Sequence, residues 1–272
     1  MTTGIPVLDI GQCSVRFGRP GADQFYAVRE VSLQVAAGEV LGLVGESGCG
    51  KTTLSRAIVG LIPLTSGSIT VEGKSLVDAS KHDARSYRRA IGMVFQNPYM
   101  SLNPRHTVYD ILAEPLRLYG ICRGRACDER VAAMAHEVGL DNTHLLRYPH
   151  EFSGGQRQRI AIGRALIAQP HLLIADEPVS ALDVSIQAQI LNLLQTMVEK
   201  HTVSMLFISH DLAVVRHVSH RIAVMNKGRI VERGAALSLF NEPQHAYTQM
   251  LLHAIAVPDP KVMRRKYERL TE

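Results

Sequence analysis

The hydrophobic positions of this chain fall into short blocks, and the blocks lay out the elements. Residues 31–35 alternate apolar and polar with the two-residue period of a half-buried strand, and Gly38 closes that block. Val40-Leu41-Gly42-Leu43-Val44 follows as an unbroken apolar run, the pattern of a parallel strand covered on both faces. A glycine-rich stretch then leads into residues 54–61, whose apolar spacing is helical and which Gly60 and Pro63 close. Strand, glycine loop and helix therefore succeed one another in that order.

Farther along, residues 69–72 and 91–95 predict strands, whereas about 108–147 reads mostly as helix, with breaks at Pro115, Gly120 and Gly139. An all-helical insertion is implied between two strand-bearing halves. Residues 156–168 predict a helix stopped by Pro170, 172–175 a second buried strand, 187–200 a helix and 204–209 a strand. Residues 222–225 and 230–232 predict a hairpin turning at Asn226-Lys227-Gly228. No internal repeat appears, so one such unit is expected rather than a tandem pair.

Composition narrows the class. A chain of 272 residues buries about 70–75 % of its unfolded surface, enough for a core that needs no disulfide or metal. Hydrophobic residues at 46 % and charged residues at 20 % exclude disordered, collagenous and coiled-coil proteins. The longest apolar runs reach only about six to eight residues, against the roughly 20 that a membrane-spanning helix requires. Residues 1–10 lack a basic segment followed by an apolar one, so no secretory signal and a cytoplasmic address are expected. Cys13, Cys49, Cys122 and Cys127 are too few and too irregularly spaced for a disulfide framework, which predicts reduced thiols. Cys122 and Cys127 also lack a second Cys or His pair at zinc-finger spacing. The formal net charge of +5 is spread among acidic residues and reads as a solvated surface, and no nucleic-acid partner is expected.

The chemistry begins at Gly45-Glu46-Ser47-Gly48-Cys49-Gly50-Lys51-Thr52-Thr53. Glycines at this spacing let successive backbone N–H groups turn inward around phosphates, and the helix starting near Lys51 points its positive dipole end at them. Lys51 supplies a mobile charge for the β- and γ-phosphates of a nucleotide, and the Thr52 hydroxyl is a hard oxygen ligand suited to Mg²⁺. Downstream, an apolar strand ends in Asp176 and Glu177. Asp176 at the carboxyl end of a buried parallel strand would share the ligand crevice and the Mg²⁺ shell, while Glu177 would face the water that attacks the γ-phosphate. Ser153-Gly154-Gly155-Gln156 opens a second helix with an anion-binding start. A helical insertion separates the two starts, so the second is expected to serve a nucleotide held by another subunit.

These residues resemble the ATPase subunits of ATP-binding cassette transporters, over roughly residues 8–252. The resemblance implies an α/β fold: a P-loop NTPase of the cassette type, with a mixed-sheet core and a helical subdomain at about 97–165. It also implies one nucleotide-binding domain over 1–252, followed by a basic C-terminal tail at 253–272. Gly45 to Thr53 look like the phosphate loop, Gln96 like the Q-loop glutamine with a place near Mg²⁺, and Ser153 to Gln156 like the signature. Asp176 ends the Walker B strand, Glu177 resembles the catalytic base and His210 the switch histidine. Asp183, in Ser180-Ala181-Leu182-Asp183, resembles the D-loop aspartate that adjoins nucleotide, and Phe17 matches the aromatic residue that stacks on adenine. Phe152 stands where leucine is commonest, with its apolar character kept.

Finer resemblance is to the branch that powers uptake of dipeptides, oligopeptides and nickel. It rests on residues 95–104 (FQNPYMSLNP), residues 180–191 (SALDVSIQAQIL) and His245-Ala246-Tyr247-Thr248. The branch implies an unlike second ATPase subunit closing an ATP-sandwich dimer, two transmembrane permeases, and indirectly a substrate-binding protein. It places the chain peripherally on the cytoplasmic face of the inner membrane. Export and lipoprotein-release ATPases share every catalytic motif, but not the branch segments. DNA-repair cassettes carry long coiled coils between the motifs, and here only about 100 residues separate Lys51 from Ser153. His217 and His220, at i and i+3, have no supporting carboxylate or cysteine nearby and read as ordinary surface or core histidines.

Overall fold

A computed structural model describes residues 5–18, 24–75 and 80–254, apart from the side chains of Lys81, His82 and Ala254. The readings placed on residues 1–4 and on the basic tail with Lys261, Arg264, Arg265, Lys266 and Arg269 lie outside the described residues. In chain order the elements are β1 (Leu8–Phe17), β2 (Phe25–Val35), β3 (Val40–Val44), α1 (Lys51–Ile58), β4 (Ser66–Val71), β5 (Lys74–Ser75), α2 (Lys81–Arg89) and β6 (Ile91–Val94). Helices then fill the chain, with α3 (Pro98–Ser101), α4 (Val108–Tyr119), α5 (Arg125–Glu137) and α6 (Gly154–Leu166). The remainder alternates: β7 (Leu172–Asp176), α7 (Val184–His201), β8 (Ser204–Ser209), α8 (Leu212–Val218), β9 (Arg221–Asn226), β10 (Arg229–Ala235), α9 (Ala236–Asn241) and α10 (Ala246–Ala254).

Two sheets result. One is a six-stranded sheet in the order β10-β9-β3-β8-β7-β6, and the other a four-stranded antiparallel sheet in the order β2-β1-β4-β5. In the larger sheet β6, β7, β8, β3 and β9 run parallel, and only β10 is antiparallel, so it is mixed. Every residue of β3, β7 and β8 is buried. Their side chains alternate between two cores: Val40, Val44, Leu173, Ala175, Met205 and Phe207 pack with the helices between β6 and β7, whereas Leu41, Leu43, Leu172, Ile174, Leu206 and Ile208 pack with α1 and the smaller sheet. Coverage of both faces is why these strands read as continuous apolar runs. Parallel pairing has a direct consequence for the site. Gly45 after β3, Gln96 just beyond β6, Asp176 and Glu177 at β7, and His210 after β8 all stand at the same edge of the sheet.

Two expectations are corrected. Pro115 does not break the helix; α4 runs through it to Gly120, which caps the end at φ 67°. Val108, Ile111 and Leu112 before the proline and Leu116 after it are all buried, and burial of that stripe outweighs the ~3 kcal/mol an interior proline costs. The thiols are not all reduced either. Cys122 and Cys127 form a disulfide, because the turn at Gly124 that starts α5 brings their Cα atoms to 5.3 Å. Cys13 and Cys49 are free and buried.

Candidate active site

The loop after β3 needs its glycines for space as well as for conformation. A Cβ on Gly45 would lie 2.1 Å from the Met225 carbonyl oxygen, and one on Gly50, at φ 111°, would lie 2.1 Å from that of Ala27. Lys51, the first residue of α1, folds back over the loop and donates from Nζ to the carbonyls of Gly45 (2.7 Å) and Glu46 (2.9 Å). Its side chain is buried, so the ammonium rests on two carbonyl dipoles and the Cys49 sulfur over an N-terminal helix end, an arrangement that suits an anion. Cys49 lies beneath it, with Sγ 3.8 Å from Nζ. Burial pushes its thiol above the usual range. Thr53 is half-buried in the first turn of α1, while Glu46, Ser47 and Gly48 are exposed.

Asp176 ends β7 directly opposite α1. Thr52 Oγ1 donates to its Oδ1 at 3.3 Å and Ser55 Oγ to its Oδ2 at 2.9 Å. Burial pushes the Asp176 carboxyl above its ordinary range, against the pull of the two hydroxyls, and the neighbouring Glu177 adds to the rise. Thr52, Gln96 and Asp176 line one cavity of about 500 Å³. Among the described residues no group of three or more His, Cys, Asp or Glu is placed to hold a metal ion by itself. One carboxylate, a hydroxyl and an amide oxygen fit Mg²⁺, which keeps several water or phosphate oxygens of its own.

Glu177 follows in the left-handed region at φ 47°, with its amide donating to the Ile208 carbonyl at 2.9 Å. That turn swings the side chain to where three strand ends meet. Gln96 Nε2 donates to Glu177 Oε2 at 2.9 Å, and His210 Nδ1 stands 3.4 Å from Glu177 Oε1. Glu46, Ser47, Gln96, Glu177 and His210 line a second cavity, of about 700 Å³, beside the first. A carboxylate held by a neutral amide and an imidazole, next to a lysine-bearing anion cradle, can orient a water toward a terminal phosphate.

The other expected residues lie elsewhere. Ser153 caps α6: its Oγ accepts from the Gln156 amide (3.3 Å) while Gln156 Oε1 accepts from the Ser153 amide (3.0 Å). Gly154 and Gly155 pack against Leu182 and Ile186, where a Cβ on Gly155 would approach the Ile186 side chain to 2.6 Å. None of Ser153 to Gln156 lines either cavity. Asp183 occupies the N-cap position of α7. Phe17, at the end of β1, is 38 % exposed with its ring 5.8 Å from that of Phe25.

Three contacts were not anticipated from the sequence. Ser55 is the second hydroxyl on Asp176; its place one turn beyond Thr52 on α1 was the available signal. Arg157 lays its guanidinium 3.9 Å over the Tyr99 ring while donating to the carbonyls of Pro149 and His150. Tyr247 reaches the phosphate loop from α10, and nothing local in its sequence predicts that.

Comparison with known proteins places the chain among ATP-binding proteins of transport systems. The ABC transporter family model matches residues 28–180. An oligopeptide transport ATP-binding protein, OppF, of Haemophilus influenzae is 48 % identical over 260 residues, covering 95 % of this chain and 78 % of that protein. A glutathione import ATP-binding protein, GsiA, of Pectobacterium atrosepticum is 46 % identical over 267 residues, covering 96 % of this chain and 43 % of that protein. Among solved structures, an ATP-binding cassette in a dimeric post-hydrolysis state with ADP and Pi superposes with a TM-score of 0.75 at 28 % identity, covering 84 % of this chain and 98 % of its own.

Proposed function

We infer the function from one premise: the chain belongs to the ABC transporter family, as an ATPase whose hydrolysis is coupled to transport. The cargo class we propose is peptides, brought in by an importer; the relatives named for oligopeptide and glutathione transport support it. The observation that carries the catalytic reading is the meeting of Gln96, Glu177 and His210 over the Lys51–Thr52–Asp176 cradle.

In that reading Gly45 to Thr53 hold the phosphates, with Lys51 leaving its carbonyl partners for the β- and γ-oxygens. Thr52, Asp176 and Gln96 would hold Mg²⁺, which supplies charge neutralisation at the phosphates. Glu177 orients the attacking water and accepts its proton, His210 and Gln96 fix the carboxylate, and Phe17 offers a ring face to the adenine. Ser153 to Gln156 and Asp183 lie outside both cavities and complete the site of a second, unlike ATPase subunit, which needs ATP between the two. The helical block at about 97–165 is the subdomain that carries this signature, and residues 1–252 form the nucleotide-binding domain.

No helix among the described residues is long and apolar enough to cross a membrane. From the transport ATP-binding proteins it resembles, two permease subunits are the proposed membrane partners, with a substrate-binding protein delivering cargo to them and this chain lying on their cytoplasmic face. Co-expression of this chain with candidate permeases and the second ATPase, followed by reconstitution in vesicles, tests the proposal. Mg-ATP turnover should rise several-fold with peptide-loaded binding protein. Turnover indifferent to peptide, or a response to nickel instead, refutes the cargo class.

A further inference from the structure

Glu46 and Tyr247 are 201 residues apart, yet the Glu46 amide donates a 3.1 Å hydrogen bond to the Tyr247 hydroxyl oxygen. The acceptor arrives on α10 with His245-Ala246-Tyr247-Thr248, a run that the proposed chemistry leaves without a task. The same peptide unit is gripped from its other side: its carbonyl, that of Gly45, accepts from Lys51 Nζ at 2.7 Å. The N–H and C=O of a trans peptide point in opposite directions. Two bonds placed so resist rotation of the 45–46 peptide about the chain, and the Met225 carbonyl crowds Gly45 on a further side.

The helix that brings Tyr247 is itself held. Glu232 on β10 accepts from the amides of Gln244 (2.8 Å) and His245 (3.0 Å), and His245 Nδ1 accepts from the Tyr247 amide (3.1 Å). Gln249 Nε2 donates to the Pro243 carbonyl at 2.9 Å, closing the turn into the helix. The Tyr247 side chain is 9 % exposed, and Leu251, one turn on, lines the cavity shared by Glu46, Ser47 and Glu177. Thus α10 forms part of the wall of the site, and its docking does not depend on the tyrosine hydroxyl alone.

We propose that Tyr247 is a positioning residue for nucleotide binding, its hydroxyl oxygen fixing the 45–46 peptide so that the loop keeps its shape before the nucleotide arrives and after Lys51 leaves the Gly45 carbonyl for the phosphates. A cradle ordered in advance loses less conformational freedom on binding. It touches neither Glu177 nor the attacking water, so it acts on affinity and not on the chemical step. The inference rests on the reading of residues 45–53 as a phosphate cradle.

Tyr247→Phe keeps the ring and removes the acceptor. In the full chain its Kd for Mg-ADP and its KM for Mg-ATP should weaken about three- to tenfold, the size of one lost hydrogen bond. Its kcat should stay within about twofold of the original. Its melting temperature should hold, and hydrogen exchange at the Glu46 amide, slow in the unaltered chain, should quicken. Met250→Ala, at an exposed position of the same helix, should leave Kd and KM alone. Affinity retained in Tyr247→Phe, with loss only in Tyr247→Leu, would assign the effect to ring packing and overturn the proposal. Fast exchange at Glu46 in the unaltered chain overturns it without any variant. An unaltered chain that binds no Mg-ADP defeats the cradle reading and this inference together, whereas binding that Tyr247→Phe leaves unchanged defeats the inference alone.

Discussion

Gln96 and Glu177 lie 81 residues apart and are joined by a 2.9 Å hydrogen bond from Nε2 to Oε2. Each stands just past a parallel strand, with Val94 opposite Ala175 in the register of β6 and β7, so the sheet itself sets their distance. The amide holds the carboxylate without competing for its charge. Gln96→Glu would set two carboxylates face to face, and like charges at that range make one of them harder to ionise. The base works ionised, so the acid limb of the pH–rate profile should move upward, by about one unit or more, with turnover recovering at high pH. An acid limb that stays in place in Gln96→Glu would mean that Glu177 is not the ionising base.

Asp176 gives a stability prediction with a definite sign. Its carboxyl is raised by burial, so the native state binds its proton more tightly than the unfolded state does. Below the usual Asp value of about 3.9 both states are protonated and the site costs nothing. As pH climbs past that value the unfolded state ionises first, and stability is lost until the native pKa is passed. Asp176→Asn should therefore melt higher than the unaltered chain at neutral pH without nucleotide, with the gap closing in acid. Mg-ATP should stabilise the unaltered chain, by about 2.7 kcal/mol at a hundredfold excess over Kd, and Asp176→Asn far less. Thermal scans at two pH values, with and without Mg-ATP, decide both halves.

Much of this site is legible because its residues terminate apolar runs. Val40–Val44 and Leu172–Asp176 are buried on both faces, and so announce both themselves and the polar residues that follow. The signature helix shows through Ser153 and Gln156, which form a capping box. What the sequence hides is of other kinds. β1 and the first half of β2 escape a period-two reading because register shifts at Ile10/Cys13, Cys13/Val15 and Val15/Arg16 interrupt the alternation. The helix α2, with four Lys or Arg in nine residues, has only Ala84 and the buried Tyr87 as apolar positions, too thin a stripe to read. Ser55 and Tyr247 gain their places only through tertiary packing.

Tyr99 is 63 % exposed, three residues beyond Gln96, and its ring lies 3.9 Å under the Arg157 guanidinium. Arg157 in turn braces the carbonyls of Pro149 and His150 just ahead of Ser153. The segment at 97–104, which carries Pro98 and Pro104, is thus tied to α6, and the proposed function makes it a docking surface for a permease. Tyr99→Ala should lower transport about tenfold or more while ATP binding stays near normal: the ring itself is exposed, Arg157 keeps its two carbonyl partners, and losing a cation–π contact to a buried guanidinium costs only about 1–2 kcal/mol of stability. Transport measured against ATPase rate in vesicles checks it. A proportional fall of both rates, with a lowered melting temperature, would reduce Tyr99 to a packing residue.

Lys51 opens α1 beside the cavities and Ser153 caps α6 outside them, so one chain presents two helix N-termini that do not share one cavity. If the Ser153 end closes over nucleotide on a partner's phosphate loop, ATP joins two subunits head to tail, and splitting it removes the charge that both grip. Glu177→Gln preserves shape and hydrogen bonding but removes the base, which slows proton abstraction by about 10²–10⁴-fold. That variant should bind Mg-ATP, turn it over poorly and accumulate as an ATP-dependent dimer, more stably with the unlike subunit than with itself. Ser153→Arg, which places a bulky side chain at the proposed interface, should abolish the dimer in Glu177→Gln without weakening ATP binding to the isolated chain. Light scattering on size-exclusion fractions, with and without Mg-ATP, reads both outcomes. A Glu177→Gln chain that stays monomeric beside its partner subunit would leave each site to work alone, and Ser153 to Gln156 would then be no more than a capped helix.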